Sequence, residues 1–98
     1  MSEAKYFIAI DLGAESGRVM IGEMTNNKLS LNEVHRFANG PVTENDTLRW
    51  DFKHIFAQIK TGLKQAIAAC SVPPLAIGID TWGVDYGLLD EDGLLIEN

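Results

Sequence analysis

Ile8-Ala9-Ile10-Asp11-Leu12-Gly13-Ala14-Glu15-Ser16-Gly17-Arg18 restricts the fold of this chain more than any other stretch. An apolar run meets an Asp, then two glycines with one hydroxyl between them, and apolar residues resume directly after Arg18. Apolar runs this short between turn signals read as strands rather than helices. The pattern predicts a strand over 5–12, apolar and buried on both faces, a tight turn over 13–17, and a second strand over 18–24. In the second strand Val19 and Ile21 share one face, while Met20 and Met24 take the other. Asn26-Asn27 signals another turn, and a third strand follows over 29–37 with Leu29, Leu31, His35 and Phe37 on one side. Strands joined by turns this short form an antiparallel meander.

Residues 38–45 read as loop, and 47–50 as a short extended piece. Asp51 is a good helix N-cap. Behind it Phe52, Ile55, Phe56, Ile59, Leu63, Ala66, Ile67 and Cys70 recur at spacings of three and four, an amphipathic helix that Pro73-Pro74 ends. Residues 75–79 form another buried strand, closed by Asp80-Thr81-Trp82-Gly83. Residues 86–89 and 94–96 flank Asp92-Gly93, a strong hairpin signal. A strand, helix, strand sequence with a buried second strand implies a right-handed crossover. The 75–79 strand is therefore expected beside the first and parallel to it, with Asp11 and Asp80 at neighbouring carboxyl ends. Ligands of open α/β sheets bind in that crevice.

The turn at 13–17 has the chemistry to hold phosphates and their metal ion. Glycines let backbone N–H groups approach phosphate oxygens closely, Ser16 adds a hydroxyl donor, and Arg18 a planar fork of charged donors. Asp11 would repel a phosphate but suits the Mg²⁺ that accompanies one. No Gly-Lys-Ser/Thr follows, so this is not a P-loop. Gly13 and Gly17 are four apart and lead into a strand, so it is not a dinucleotide fingerprint either. A net charge of −6 argues against nucleic acid and anionic membranes as partners, both of which select basic patches. The lone Cys70 excludes a disulfide framework. With no signal peptide and no apolar run of transmembrane length, a cytoplasmic location is expected.

The order of meander, helix and parallel strand resembles the ribonuclease H-like domain of the actin and sugar kinase superfamily. The turn from Asp11 to Arg18 resembles that superfamily's first phosphate motif. A narrower resemblance lies in Ile77-Gly78-Ile79-Asp80-Thr81-Trp82-Gly83-Val84-Asp85-Tyr86-Gly87-Leu88-Leu89-Asp90. That stretch, with Val34-His35-Arg36-Phe37-Ala38-Asn39-Gly40 and Leu48-Arg49-Trp50-Asp51, is similar to the FGGY carbohydrate kinases, and within them to the members that phosphorylate L-rhamnulose. The family transfers the γ-phosphoryl group of ATP to a ketose. The resemblance implies that Gly13, Ala14, Glu15, Ser16, Gly17 and Arg18 contact ATP phosphates, that Asp11 holds Mg²⁺, and that Gly83, with Trp82 and Asp80, contacts the sugar.

Glu15 stands where the family has Ser or Thr. Family members are also several times longer, with the catalytic base beyond residue 98. These residues are expected to be an amino-terminal piece of the first kinase domain, inactive alone. Two other functions stay open: a kinase of the same family for another ketose, or a non-catalytic actin-like nucleotide module. Structural roles compete at single positions too. Asp11, Asp80 and Asp85 can cap strand exits, Gly83 can serve a bend, and Trp82 can be core. Trp50 is expected to pack over the helix start, and His35 and His54 to be structural or exposed, lacking metal-ligand partners at useful spacing.

Overall fold

The computed structural model describes residues 4–83 and 87–96. Its elements are β1 (Lys5–Leu12), β2 (Ser16–Thr25), β3 (Lys28–Ala38), β4 (Pro41–Glu44), β5 (Thr47–Trp50), α1 (Phe52–Ala69) and β6 (Ala76–Asp80). The chain is α/β, and among the described residues the main sheet has four strands in the order β3-β2-β1-β6. β1 pairs antiparallel with β2, β2 antiparallel with β3, and β6 parallel with β1, as the crossover predicted. No helix of the described residues is long and apolar enough to cross a membrane.

β2 begins at Ser16, two residues earlier than expected, because a hydrogen bond from Gly13 N–H to Ser16 O (3.0 Å) closes the turn within four residues. Asn26 and Asn27 both have positive φ, 52° and 64°, the left-handed pair that a two-residue hairpin with the strands' twist requires. The expected loop over 38–45 is partly strand. Pro41–Glu44 pairs antiparallel with Thr47–Trp50 through Asn45 and Asp46, again both at positive φ. Asn and Asp tolerate that region, so this hairpin closes without the glycine that usually announces one.

β3 departs from the predicted facing. A bulge sets Val19 opposite His35 but Met20 opposite Glu33, so Val34 is an extra residue in the strand. Strand partners share a face. Leu29 and Leu31, opposite Met24 and Gly22, therefore lie on the other side of the sheet from His35 and Phe37, opposite Val19 and Gly17. Leu29 and Leu31 are exposed, while Phe37 is buried.

α1 covers one sheet face. Ile8, Ile10, Val19, Ile21 and Ala66 form the buried core, with Ile59, Leu63 and Cys70 packed against it. The Asp51 carboxylate caps the helix by accepting from His54 N–H at 3.1 Å, as the sequence indicated. The buried row of the helix is Ile55, Gly62 and Ala66, which is not the centre of the apolar stripe. Phe56 and Ile67 lie about 100–120° round the helix from Ile55, and both stay exposed. Small residues explain the offset: Gly62 and Ala66 let α1 approach β2, where a Cβ on Gly62 would sit only 2.4 Å from Val19 Cγ2.

The expected burial of β1 on both faces and of β6 does not occur. Lys5, Phe7 and Ala9 are exposed, and all of Ala76–Asp80 is exposed. α1 lies over β2 and β3, leaving Ile77 and Ile79 uncovered although they align with buried Ile8 and Ile10. Near the carboxyl end, Leu89 bridges Leu95 and Gly93 turns at φ 80°, so the hairpin forms about a single bridge rather than two strands. Asp85 and Tyr86 lie outside the described residues.

Candidate functional site

The carboxyl edge of the sheet gathers four charged residues in one cross-strand row. Register sets Arg36 opposite Arg18, Arg18 opposite Asp11, and Asp11 opposite Asp80. Residues opposite one another share a face, so the row lies on the side of the sheet away from α1. Arg18 Nη2 donates to Asp11 Oδ2 in a close ion pair. Their side chains remain 37% and 43% exposed, so a ligand can reach both. The hydrogen bond and charge of Asp11 hold the Arg18 guanidinium above its ordinary pKa, with Glu33 adding a smaller push and partial burial opposing. Arg36 donates to Glu33 Oε1 from Nε (3.0 Å) and Nη2 (2.7 Å). The Arg36 hydrogen bond is the main reason the Glu33 carboxyl lies below its ordinary range.

Asp11 and Arg18 are thus brought together as the sequence indicated, but as partners of each other. The Arg18 fork spends one nitrogen on Asp11 and keeps its remaining N–H groups for another acceptor. Ala14 and Glu15 are exposed at the tip of the turn. Gly17 faces the core, where a Cβ would fall within 2.2 Å of the Phe37 ring. Close packing of Phe37 is reason enough for that glycine.

The turn is held by a residue that sequence reasoning left in a loop. Asn39 N–H donates to Glu15 O at 2.9 Å, Asn39 Nδ2 donates to Gly13 O at 2.9 Å, and Asn39 Oδ1 accepts from Gly40 N–H at 3.0 Å. Asn-Gly-Pro reads as a turn in any sequence, and nothing in it shows that the amide reaches back 26 residues.

Asp80 ends β6, and its Oδ1 accepts from Thr81 N–H at 3.1 Å, the strand-exit cap that competed with a functional role. Trp82 is half-buried with its ring on Trp50, centroids 4.5 Å apart and tilted by 36°. Trp50, which directly precedes the Asp51 cap, braces the 80–83 segment through this contact. Beside it lies a cavity of about 270 Å³ whose lining includes Glu44, Arg49, Trp50, Lys53 and Leu95. Gly83 is exposed, and a Cβ there would meet no described atom within 4 Å, so local crowding does not explain the glycine. His35 Nε2 donates to Gln58 Oε1 (2.8 Å) and His54 Nε2 to Ala38 O (3.2 Å), structural roles for both. Among the described residues no group of three or more His, Cys, Asp or Glu gathers to hold a metal.

The mixed sheet with its parallel crossover helix is consistent with part of an actin-like α/β domain. No family model matches the chain. The particular likeness is to rhamnulokinases: 48% identity over 86 residues with that of Halalkalibacterium halodurans, 47% over 87 with that of Bacillus subtilis, and 42% over 94 with that of Lactiplantibacillus plantarum. These matches cover 88–96% of this chain but only 18–19% of the relatives. The chain thus spans less than a fifth of the length of the curated relatives it matches.

Proposed function

We propose that residues 1–98 are the amino-terminal part of the first domain of a cytoplasmic kinase that phosphorylates L-rhamnulose to L-rhamnulose 1-phosphate with ATP. The observation that carries this is the similarity to rhamnulokinases over nearly the whole chain. The sheet edge agrees with it. A Gly-rich turn beside a fixed guanidinium and two carboxylates on neighbouring strands suits phosphate and a metal-bound nucleotide.

In this reading the backbone N–H groups around Ala14, Glu15 and Ser16, the Ser16 hydroxyl and Arg18 hold ATP phosphates. Asp11 pre-orients Arg18 and keeps its second oxygen for Mg²⁺. The residues fit such an ion. Mg²⁺ keeps several waters and takes one or two carboxylates plus phosphate oxygens, so a full protein cage is not needed. When bound, the ion neutralises charge on the transferring phosphoryl group. Asp80, Trp82 and Gly83 face the acceptor sugar, with Trp82 steadied by Trp50. Residues 1–98 alone are expected to be inactive, since they span less than a fifth of the length of the rhamnulokinases they resemble.

Kinetics of Arg18→Ala in the full-length protein test the reading. Losing the charged fork should raise the KM for MgATP by about an order of magnitude, with the KM for L-rhamnulose nearly unchanged. Wild-type values for MgATP would make the turn structural. A ketose panel on the unmutated enzyme tests the acceptor, and preference for another ketose would overturn that part.

A further inference from the structure

We propose that Asn39 is the positioning residue of the phosphate turn: it aims the turn's N–H groups at the ligand by holding the carbonyls that would otherwise compete. This deepens the reading of residues 13–18 as a phosphate site and rests on it.

Asn39 binds two carbonyls of the turn, Gly13 O through Nδ2 and Glu15 O through its own N–H, both at 2.9 Å. No cis peptide bond occurs among the described residues. In a planar trans peptide the C=O of one residue and the N–H of the next point in opposite directions. Fixing Gly13 O on Asn39 therefore turns the Ala14 N–H away from Asn39. Fixing Glu15 O likewise turns the Ser16 N–H away from β3. Two donors are thereby set in advance, before any phosphate arrives, and preorganisation of this kind lowers the cost of binding. A turn left free could rotate either peptide and present an oxygen to an anion.

Asn39 is itself anchored. Its Oδ1 accepts from Gly40 N–H at 3.0 Å, which fixes the amide so that Nδ2 faces Gly13. The preceding carbonyl, Ala38 O, accepts from His54 Nε2 on the first turn of α1 at 3.2 Å. That turn is the one Asp51 caps. The strap therefore runs from the helix start through Ala38 and Asn39 to the phosphate turn, and its residues need touch no ligand.

Asn39→Asp and Asn39→Ala in the full-length protein test this. Asn39→Asp keeps the shape and the acceptor for Gly40 N–H but loses the donor to Gly13 O. Asn39→Ala loses both without adding charge. The KM for MgATP, the KM for the sugar and the melting temperature are measured, with Arg18→Ala as the control. The expected result is a rise of about tenfold in the MgATP KM for both variants, a sugar KM within about twofold of wild type, and little change in melting. If Arg18→Ala raises the MgATP KM and neither Asn39 variant does, the positioning role is overturned while the phosphate turn stands. If none of the three raises it, the phosphate reading fails and this proposal with it. Equal rises in both KM values together with a lowered melting temperature would make Asn39 a structural residue only, also overturning it. Should Asn39→Ala fail to fold, the isosteric Asn39→Asp decides alone.

Discussion

Gly62→Ala puts two opposing effects in the same position. Gly62 sits inside α1, where Ala is favoured over Gly by about 0.8–1.0 kcal/mol on helix propensity alone. The added methyl, however, would lie 2.4 Å from Val19 Cγ2, 2.9 Å from Val19 Cβ and 3.2 Å from His35 Cδ2. Carbon atoms rest about 3.5–4.0 Å apart, so something must retreat by about 1 Å. Val19 is fully buried and β-branched, with little freedom to rotate away. The helix must lift instead, and overpacking of this kind costs about 1–3 kcal/mol. The net expectation is a destabilisation of up to about 2 kcal/mol, read as a lowered melting temperature. Val19→Ala makes the space, so Gly62→Ala added to it should cost less than it does alone, with a coupling of about 0.5–3 kcal/mol in a double-mutant cycle. A Gly62→Ala protein that melts higher than wild type, or two substitutions that simply add, would refute the close approach of α1 to β2.

Asp51→Ala removes the acceptor for His54 N–H and should cost about 0.5–2 kcal/mol of stability, measured by thermal or denaturant unfolding. Gly83→Val should leave the described fold intact, since no described atom lies within 4 Å of the added Cβ, yet cut sugar-dependent turnover; a displacement of the acceptor by about 1 Å can cost on the order of 100-fold. Separate sugar and nucleotide affinities on the folded variant check it, and unchanged turnover would return Gly83 to a bend residue. Burial, with a smaller push from the charge of Glu23, raises the Cys70 thiol above its ordinary value near 9. Its alkylation at pH 8–9 should therefore be slower than that of an unstructured cysteine peptide. The folded state holds the thiol proton more tightly, so the stability linked to Cys70 is complete below the ordinary thiol pKa and declines as pH rises through the raised one.

The elements written in local pattern were legible. The bounds of β1, the Asp51 cap, the parallel placement of β6 and the Asp11–Asp80 neighbourhood follow from apolar runs, a capping residue and crossover handedness. What was missed depends on partners distant in sequence. The face switch in β3 needs knowledge of how β2 pairs, since Val34 is unremarkable in its own strand. The buried helix row was misplaced because periodicity weighs large apolar residues, whereas Gly62 and Ala66 set where two backbones can meet. Exposure of β6 followed from where α1 lies, which no apolar count reveals. At the site, the residue types at Asp11, Ser16 and Arg18 announced the chemistry, but the strap at Asn39 spoke only through geometry.

The extra residue at Val34 gives β3 something like a reading frame. Upstream of it odd-numbered Leu29 and Leu31 point one way; downstream, odd-numbered His35 and Phe37 point the other, and Arg36 comes into line with Arg18. Deleting one residue there would leave every downstream amino acid chemically unchanged yet turn each to the opposite side, carrying Arg36 toward the core and Phe37 toward water. Substitutions in this strand perturb one position at a time. A single-residue deletion would rewrite the whole far half of the strand, including the approach to Asn39. Lengthening or shortening should therefore be tolerated in the hairpin loops and refused here, and a chain of this fold without the extra residue would have to invert its polar and apolar alternation beyond that point.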